Sequence, residues 1–397
     1  MKKSLTGILL LICLTVSRAG AQEEFIEPLS REITSVPFIQ LTGGIIILQA
    51  KLGENPDTLN FILDTGSSGI SLDSTTADFL GLSPVPSNRT IRGIAGIRNV
   101  SFLYNQRLKF PGLTIDSLNF HINDYSILTA VYGERIDGII GYAVLSRYIV
   151  KIDYESTKVI FCSRGTIRYP RGGYLLKPQI SQMISQPLRV RDAKTISSNF
   201  LFDIGAGLCM LFSREFIEDS NFLDKKRRRW PKEGEGLGGK IDMELTVIKE
   251  VKIGPYRFRN VPVFIFNDDY NVTSYPLMGG LIGNDVMRRF NVILNYDRGD
   301  VYITPNQHFR EMFDYSYSGL ELYLINGNIV VGDVAPGSPA ELADVIEGDE
   351  VIAVNNIFNK NLNQFKIALQ TPNEKVKLIL RRDDKIIERH LKVRSIL

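Results

Sequence analysis

The sequence is poor in the residues on which many hydrolases and metalloproteins depend. It has three histidines, His121, His308 and His390, and none of them stands at zinc-ligand spacing or near a Gly-x-Ser-x-Gly turn. This scarcity argues against a Ser-His-Asp hydrolase and against a zinc peptidase. The three cysteines form neither a zinc pattern nor a thiol-nucleophile signature. We therefore expect no metal site.

Long apolar segments are also missing, apart from one at the N-terminus. Lys2 and Lys3 precede an apolar run at residues 8–16, and a small-residue cleavage site follows at residues 19–21. This is the pattern of a secretory signal peptide over residues 1–21, and the run is too short for a membrane span. We expect an exported protein that is periplasmic, outer-membrane-associated or secreted, with no transmembrane segment after cleavage.

An excess of charge of one sign is absent as well. Cleavage after residue 21 removes Lys2, Lys3 and Arg18, so the 47 basic residues fall to 44 and equal the 44 acidic ones. Nucleic-acid-binding proteins neutralise phosphates with a basic surface, and a neutral balance offers none. We expect no nucleic-acid partner.

What the sequence does contain is a segment that occurs twice. Residues 61–69 read Phe-Ile-Leu-Asp-Thr-Gly-Ser-Ser-Gly, and residues 200–207 read Phe-Leu-Phe-Asp-Ile-Gly-Ala-Gly. In each copy an apolar strand pattern ends at an aspartate, Asp64 or Asp203, and a glycine follows two residues later. The duplication predicts two β-rich lobes that each deliver one carboxylate onto a tight turn.

The segments that follow repeat too, and together they carry a resemblance. Residues 141–161 align with residues 283–303 without a gap. With Asp64-Thr65-Gly66-Ser67 and two hydrophobic-hydrophobic-Gly elements, which end at Gly141 and Gly283, the chain resembles the pepsin/retropepsin superfamily, specifically its bacterial two-lobed members. The resemblance implies a mainly β fold with two β-barrel lobes.

The resemblance also implies the chemistry of an aspartic endopeptidase. Asp64 and Asp203 would face each other and share one proton, because two close carboxylates cannot both ionise cheaply. The ionised member would activate a water and the protonated member would polarise the scissile carbonyl, without metal or organic cofactor. Since one chain supplies both halves, a monomer suffices. The implied supporting residues are Thr65, Gly66, Ser67, Gly205, Gly141 and Gly283.

One position departs from the family pattern. The residue after the second aspartate is normally Thr or Ser, but here it is Ile204, which has no hydroxyl to help tie the two catalytic loops together. Losing that reciprocal hydrogen bond would cost about 1 kcal/mol. The alternative to an active enzyme is therefore a catalytically inactive adaptor that grips extended peptides on the same fold.

A glycine-rich segment follows each aspartate and is a candidate flap over the cleft. The first candidate contains Gly93, Ile94, Gly96 and Ile97, and the second spans residues 234–239. Glycines permit tight, mobile turns of the kind that flaps need. The first candidate is favoured, because the first-lobe flap covers substrate in pepsin-like enzymes. The alternative is that both segments are plain β-turns.

The C-terminal region is a different module. Residues 334–341 and 347–355 look like a PDZ domain of the type attached to bacterial proteases, with helices expected from Ser338 and at residues 362–369. Such a domain captures a peptide C-terminus with backbone N–H groups. The expected carboxylate loop is formed by Gly319, Leu320, Glu321 and Leu322.

These patterns predict five segments along the chain. They are a signal peptide at 1–21, an N-terminal lobe at 22–170, a C-terminal lobe at 171–306, a linker at 307–317 and a PDZ domain at 318–397. The expected partners are a peptide or unfolded protein substrate and a peptide C-terminus at the PDZ domain. A further possibility is that the PDZ domain docks on the cleft and regulates it.

Overall fold

The computed structural model describes residues 27–397, so the predicted signal peptide lies outside the described residues. Within this range the chain is mainly β, as predicted. No helix of residues 27–397 is long and apolar enough to cross a membrane. The strands of the first lobe are β1 (Glu32–Gln40), β2 (Ile46–Leu52), β3 (Leu59–Leu63), β4 (Ile70–Asp73), β5 (Thr90–Gly93), β6 (Gly96–Asn99), β7 (Phe102–Phe110), β8 (Leu113–Asn123), β9 (Gly138–Ile140), β10 (Ile149–Asp153) and β11 (Lys158–Cys162).

The first lobe is a closed six-stranded barrel. Its strands follow the order β2-β3-β9-β4-β8-β7, and β2 closes the ring by pairing with β7, where Leu52 faces Leu108. Alternate residues of these strands point inward and are buried, since successive side chains of a strand point to opposite faces. The helices of this lobe are α1 (Ser74–Phe79), α2 (Ser126–Tyr132) and α3 (Tyr142–Leu145), with a 3-10 turn at Thr42–Gly44.

The second lobe repeats this barrel. Its order is β14-β15-β20-β16-β19-β18, and β14 pairs with β18 to close it, where Val190 faces Val251. The strands are β12 (Tyr174–Leu176), β13 (Gln179–Ile180), β14 (Ile184–Arg191), β15 (Thr195–Phe202), β16 (Met210–Ser213), β17 (Trp230–Gly236), β18 (Gly239–Ile253), β19 (Tyr256–Phe266), β20 (Gly280–Ile282), β21 (Phe290–Asn295) and β22 (Asp300–Pro305). The helices are α4 (Arg214–Ser220) and α5 (Asn284–Met287).

A six-stranded sheet joins the two barrels, and the repeated segments build its centre. Its order is β12-β22-β21-β10-β11-β1, in which the repeat-related strands β10 and β21 pair antiparallel, with Ile149 opposite Asn295 and Ile152 opposite Val292. Antiparallel pairing of equivalent strands relates the lobes by an approximate two-fold axis. The axis brings the equivalent Asp-bearing turns to face each other.

The C-terminal domain has its own apolar core around Phe365 and Leu378. Its five-stranded sheet runs in the order β24-β25-β26-β27-β28. The strands are β23 (Ser316–Tyr317), β24 (Leu320–Ile325), β25 (Asn328–Val334), β26 (Glu350–Val354), β27 (Lys375–Arg382), β28 (Lys385–Lys392) and β29 (Arg394–Ser395), and the helices are α6 (Pro339–Leu342) and α7 (Leu362–Ala368). Both helices lie where the sequence predicts them, and the Ser338 hydroxyl caps the first by accepting the Glu341 N–H.

The segment predicted as a linker, residues 307–317, is packed against the fold. A 3-10 turn at Gln307–Arg310 begins it, and the ring of Phe313 is buried against the second lobe. Its last residues form β23, which pairs with β29 at the C-terminus of the chain. The linker therefore holds the C-terminal domain against the lobes, because its aromatic residues bury apolar surface that a solvated tether would expose.

Candidate active site

Each catalytic loop is positioned by the same local geometry. Strands β3 and β15 end immediately before Asp64 and Asp203, and each pairs in parallel with a short strand of its own lobe. The Asp64 N–H donates to the Ile140 carbonyl at 2.9 Å, and the Asp203 N–H donates to the Ile282 carbonyl at 3.0 Å. Both aspartates are thus held by backbone bonds at equivalent places.

The two carboxyl groups meet across the interface between the lobes. Asp64 accepts the Gly66 N–H at 2.6 Å, and Asp203 accepts the Gly205 N–H at 2.8 Å. A Cβ on Gly205 would lie 2.4 Å from Cγ of Asp64, and one on Gly66 would lie 2.6 Å from Oδ2 of Asp203. Only glycine fits at these two positions, because any side chain would push the opposite carboxyl group away.

The surroundings raise the pKa values of both carboxyl groups. Burial raises the pKa of Asp203 well above its ordinary value, and the neighbouring Asp64 charge raises it further. Burial also raises the pKa of Asp64, but the hydrogen bond from Asp203 and the N–H groups of Gly66 and Ser67 oppose the rise. The pair therefore holds one proton over a range of pH, and its two titrations belong to the pair rather than to either residue.

Thr65 ties the two loops together from one side. Its buried hydroxyl donates to the Phe202 carbonyl at 2.6 Å and accepts the Ile204 N–H at 3.1 Å. Both bonds cross from the first lobe to the second. Ile204 cannot return them, and its side chain is fully buried in the apolar core instead. The hydroxyl of Thr65 is thus satisfied, and packing takes the place of the second hydroxyl.

The glycines of the two hydrophobic-hydrophobic-Gly elements lie directly behind the loops. A Cβ on Gly141 would lie 2.3 Å from the Ser67 carbonyl oxygen, and one on Gly283 would lie 2.2 Å from that of Leu208. The next residues bind the loops, since the Tyr142 N–H donates to the Ser67 carbonyl at 2.9 Å. The structure therefore brings the predicted supporting residues Thr65, Gly66, Ser67, Gly205, Gly141 and Gly283 together around the two aspartates.

Both glycine-rich candidates are hairpins, and their tips meet. The first is the β5–β6 hairpin and the second is the β17–β18 hairpin. The Ala95 N–H donates to the Leu237 carbonyl at 3.1 Å, and a Cβ on Gly93 would lie 2.2 Å from the same oxygen. Both candidates therefore have the same hairpin form with joined tips, and the preference for the first as the flap that covers substrate stays a prediction.

Each flap tip packs onto the apolar residues of the opposite lobe. Ile94 of the first flap packs against the second apolar cluster, which contains Leu201, Met278 and Leu281. Leu237 of the second flap packs against the first apolar cluster, which contains Ile62, Tyr132 and Ile139. Ile97, by contrast, is 50% exposed. Sequence reasoning missed Tyr132, because no motif marks it, whereas Leu237 lies within the second glycine-rich candidate at residues 234–239.

The structure divides the predicted carboxylate loop into a turn and a strand. Gly319 adopts a φ of +76°, and a Cβ there would lie 2.1 Å from Cβ of Ser338, so the turn requires glycine. Leu320 and Leu322 are buried at the start of β24. Glu321 forms an ion pair with Lys232 of the second flap, so its side chain already has a partner within the chain.

A substitution of Ile204 tests whether the missing hydroxyl matters. We expect Ile204→Thr to preserve or raise turnover, because a hydroxyl there can return the bonds that Thr65 makes. Ile204→Val is the matched control, since valine has the volume of threonine without the hydroxyl. The measurement is kcat/KM of the two variants on one peptide, beside their free energies of unfolding. A large loss of turnover in folded Ile204→Thr would show that the isoleucine belongs to the working geometry.

Two family models match the chain. An aspartyl protease model matches residues 48–144 and again residues 187–286, so it covers each barrel and each Asp-bearing loop once. A PDZ domain model matches residues 330–382. A comparison with curated proteins finds no match to the chain. Within residues 27–397 no group of three or more His, Cys, Asp or Glu side chains is arranged to hold a metal ion.

Proposed function

Since the chain belongs to the aspartyl protease family, in two repeats followed by a PDZ domain, we propose that it is an aspartic endopeptidase that hydrolyses peptide bonds with the Asp64–Asp203 dyad. The proposal rests above all on the close approach of the two Asp-bearing loops. Each carboxyl group lies against the glycine that follows the other aspartate, since a Cβ on Gly205 would lie 2.4 Å from Cγ of Asp64 and one on Gly66 would lie 2.6 Å from Oδ2 of Asp203.

The protonation of the pair supports a division of roles. The ionised Asp64 takes a proton from a water bound between the two carboxyl groups, and the water oxygen attacks the scissile carbonyl carbon. Asp203, as the carboxylic acid, donates a hydrogen bond to the carbonyl oxygen and stabilises the charge that develops there. The C–N bond then breaks as the leaving amine takes the proton from Asp64. No metal or cofactor takes part in this mechanism.

The flaps and the apolar clusters support an extended peptide as substrate. The tips of the two flaps meet, so a substrate enters only after they part. Ile94 and Leu237 must then leave the two apolar clusters that they contact, which frees apolar surface for substrate side chains. We propose in addition that the PDZ domain binds peptide C-termini, and that the N-terminal pattern of the sequence directs export.

A peptide-binding adaptor without catalysis is the second candidate. Ile204 favours it, because the family's second hydroxyl is replaced by a buried apolar side chain. In this case the lobes would grip an extended chain without cleaving it. The two candidates share the fold, the cleft and the PDZ domain, so only a test of bond cleavage separates them.

Cleavage of a mixed peptide library tests the enzyme against the adaptor. Residues 22–397 would be incubated from about pH 3 to about pH 8, and the products identified by mass spectrometry. We expect internal cleavage with a bell-shaped pH dependence. Activity should fall at low pH as Asp64 becomes protonated, and at high pH as Asp203, whose pKa is raised, loses its proton. A folded protein that binds the peptides and cuts none of them is the adaptor.

A further inference from the structure

The peptide groove of the PDZ domain faces the catalytic lobes. PDZ domains take up a peptide as an added strand beside a sheet edge, with its C-terminal carboxylate at the loop before that strand. Here the edge strand is β24, the loop is Ser318–Gly319, and α7 forms the other wall. These positions identify where a ligand would lie.

One end of this groove is filled by the first lobe. Helix α2 packs against β24, and Lys366 of α7 donates to the Val131 carbonyl at the end of α2, at 2.6 Å. Gly133, which follows α2, lies so close to Leu362 that a Cβ would approach that side chain to 3.0 Å. The end of α2 therefore contacts both walls of the groove.

The other end of the groove, beside the carboxylate loop, is open. A cavity of about 810 Å³ lies there, lined by Ser318, Gly319 and Leu320 on one side and by Lys366 of α7 on another. Thr42–Gly44 of the first lobe and Gly207–Cys209 of the second complete its wall. Neither Asp64 nor Asp203 borders this cavity, so it is separate from the dyad. Its volume suits the terminal residues of a peptide.

The same edge strand also holds the second flap. The Tyr323 hydroxyl of β24 donates to Glu233 at 2.8 Å and also contacts Glu235, and both glutamates lie on β17 of the flap. Glu321 of β24 pairs with Lys232 of the flap. From the returning strand, Lys240 donates to the Gly332 carbonyl of the PDZ domain at 3.1 Å. The flap is thus bound to the strand that would receive a peptide.

Both elements held by the PDZ domain reach the catalytic centre. Tyr132, the last residue of α2, lies near Asp64, Asp203 and Glu235, whose charges add to the effect of burial in raising its pKa. Leu237 at the tip of the second flap packs against the first apolar cluster, as does Tyr132. A displacement of β24 from these partners therefore changes the walls of the cleft.

We propose that the PDZ groove is closed by the catalytic lobe itself, and that a peptide with a free C-terminal carboxylate opens the enzyme by displacing α2 from β24 and releasing the second flap. The inference rests on the proposed peptidase function and adds its regulation. A ligand shifts such an equilibrium only by its preference for the open state. By the same linkage, opening the cleft strengthens peptide binding at the PDZ domain.

The test measures cleavage and stimulation in the full mature chain. Peptides of about ten residues that end in Val, Leu or Phe are added as free acids, with their C-terminal amides as controls. We expect the free acids to raise kcat/KM by about 5- to 100-fold, in the range of ordinary allosteric coupling, and the amides to have little effect. If the protein still cleaves peptides but is stimulated equally by acid and amide, or by neither, the inference about regulation is overturned and the proposed peptidase function stands.

Tyr323→Phe separates the flap contact from folding. The ring remains and only the hydroxyl that contacts Glu233 and Glu235 is lost, so we expect a basal kcat/KM several-fold above wild type and a smaller stimulation by peptide. Tyr104→Phe is the matched control, because Tyr104 is exposed on the first barrel far along the chain from the groove. An unchanged basal rate and unchanged stimulation in Tyr323→Phe would contradict the proposal.

A second readout does not depend on catalysis. In Asp64→Asn, hydrogen exchange is followed with and without the free-acid peptides. Residues 126–133 and 234–239 should exchange faster when peptide is bound, since α2 and the second flap are released. Bound peptide with unchanged exchange in both segments, or no binding even to Tyr323→Phe, would refute the groove mechanism. If exchange becomes faster but the wild-type protein never cleaves a peptide, the groove mechanism is supported and the proposed peptidase function is contradicted.

Discussion

Asp64→Asn and Asp203→Asn are each expected to lower kcat/KM by about 100- to 10,000-fold, which is the usual contribution of a positioned general acid or base to the rate. An amide at position 64 cannot take a proton from water, and an amide at position 203 cannot hold the shared proton. Because the carboxyl groups act as a unit, the double variant should be little worse than either single one. The measurement is single-turnover and steady-state cleavage of one library-derived peptide.

The control for these variants is their free energy of unfolding, whose change with pH has a predicted direction. The folded pKa of Asp203 lies well above its ordinary value of 3.8, so the carboxyl favours folding below that value and loses this contribution as the pH rises. An amide does not titrate. We therefore expect the free energy of unfolding of Asp203→Asn, relative to wild type, to increase from about pH 4 to about pH 8. Constant differences across this range would contradict the buried, proton-sharing dyad.

Gly205→Ala is expected to abolish most activity without touching a carboxyl group. The new Cβ would lie 2.4 Å from Cγ of Asp64, so that Asp64 must move by a substantial fraction of an ångström or more. A misplacement of about 1 Å costs about 100-fold in rate, and overpacking costs about 1 to 3 kcal/mol of stability. The measurements are kcat/KM and the free energy of unfolding.

Gly172→Ala is the matched control for that variant. Gly172 has a φ of +89° and a Cβ there would meet no atom within 4 Å, so alanine adds only backbone strain of about 1 to 2 kcal/mol. We expect this variant to keep wild-type activity at a similar loss of stability. If Gly205→Ala retained the activity of Gly172→Ala, the close contact between the two loops would not be needed for catalysis.

The parts of the site that lie in short motifs were predictable from the sequence. Asp64 and Asp203 each follow the end of a strand and precede a glycine by two residues. The structure brings them to the same site because the repeat-related strands β10 and β21 pair with each other. The barrels, the PDZ domain and the cap at Ser338 also follow local rules of alternation and turn chemistry. Local patterns suffice for these features, because each is specified by neighbouring residues.

The parts that depend on contacts between distant segments were not predictable. The pairing of the two flaps joins Ala95 to Leu237, and the PDZ domain contacts the first lobe through Lys366 and Val131. Neither contact has a signature in the sequence, because a hydrogen bond to a backbone carbonyl places no demand on the residue that supplies it. Ile204 is similar, since its full burial in the apolar core depends on residues from distant parts of the chain.

The sequence by itself determined that this chain has two Asp-bearing β lobes and a PDZ domain, since repeated motifs and strand periodicity are local properties. Only the tertiary structure decided how these parts act on one another. It brings the loops of Asp64 and Asp203 together, joins the tips of the two glycine-rich hairpins and sets β24 against α2 and the second hairpin. The physical reason is that proton sharing, flap closure and groove occupancy depend on distances between residues far apart in the chain, which folding alone sets.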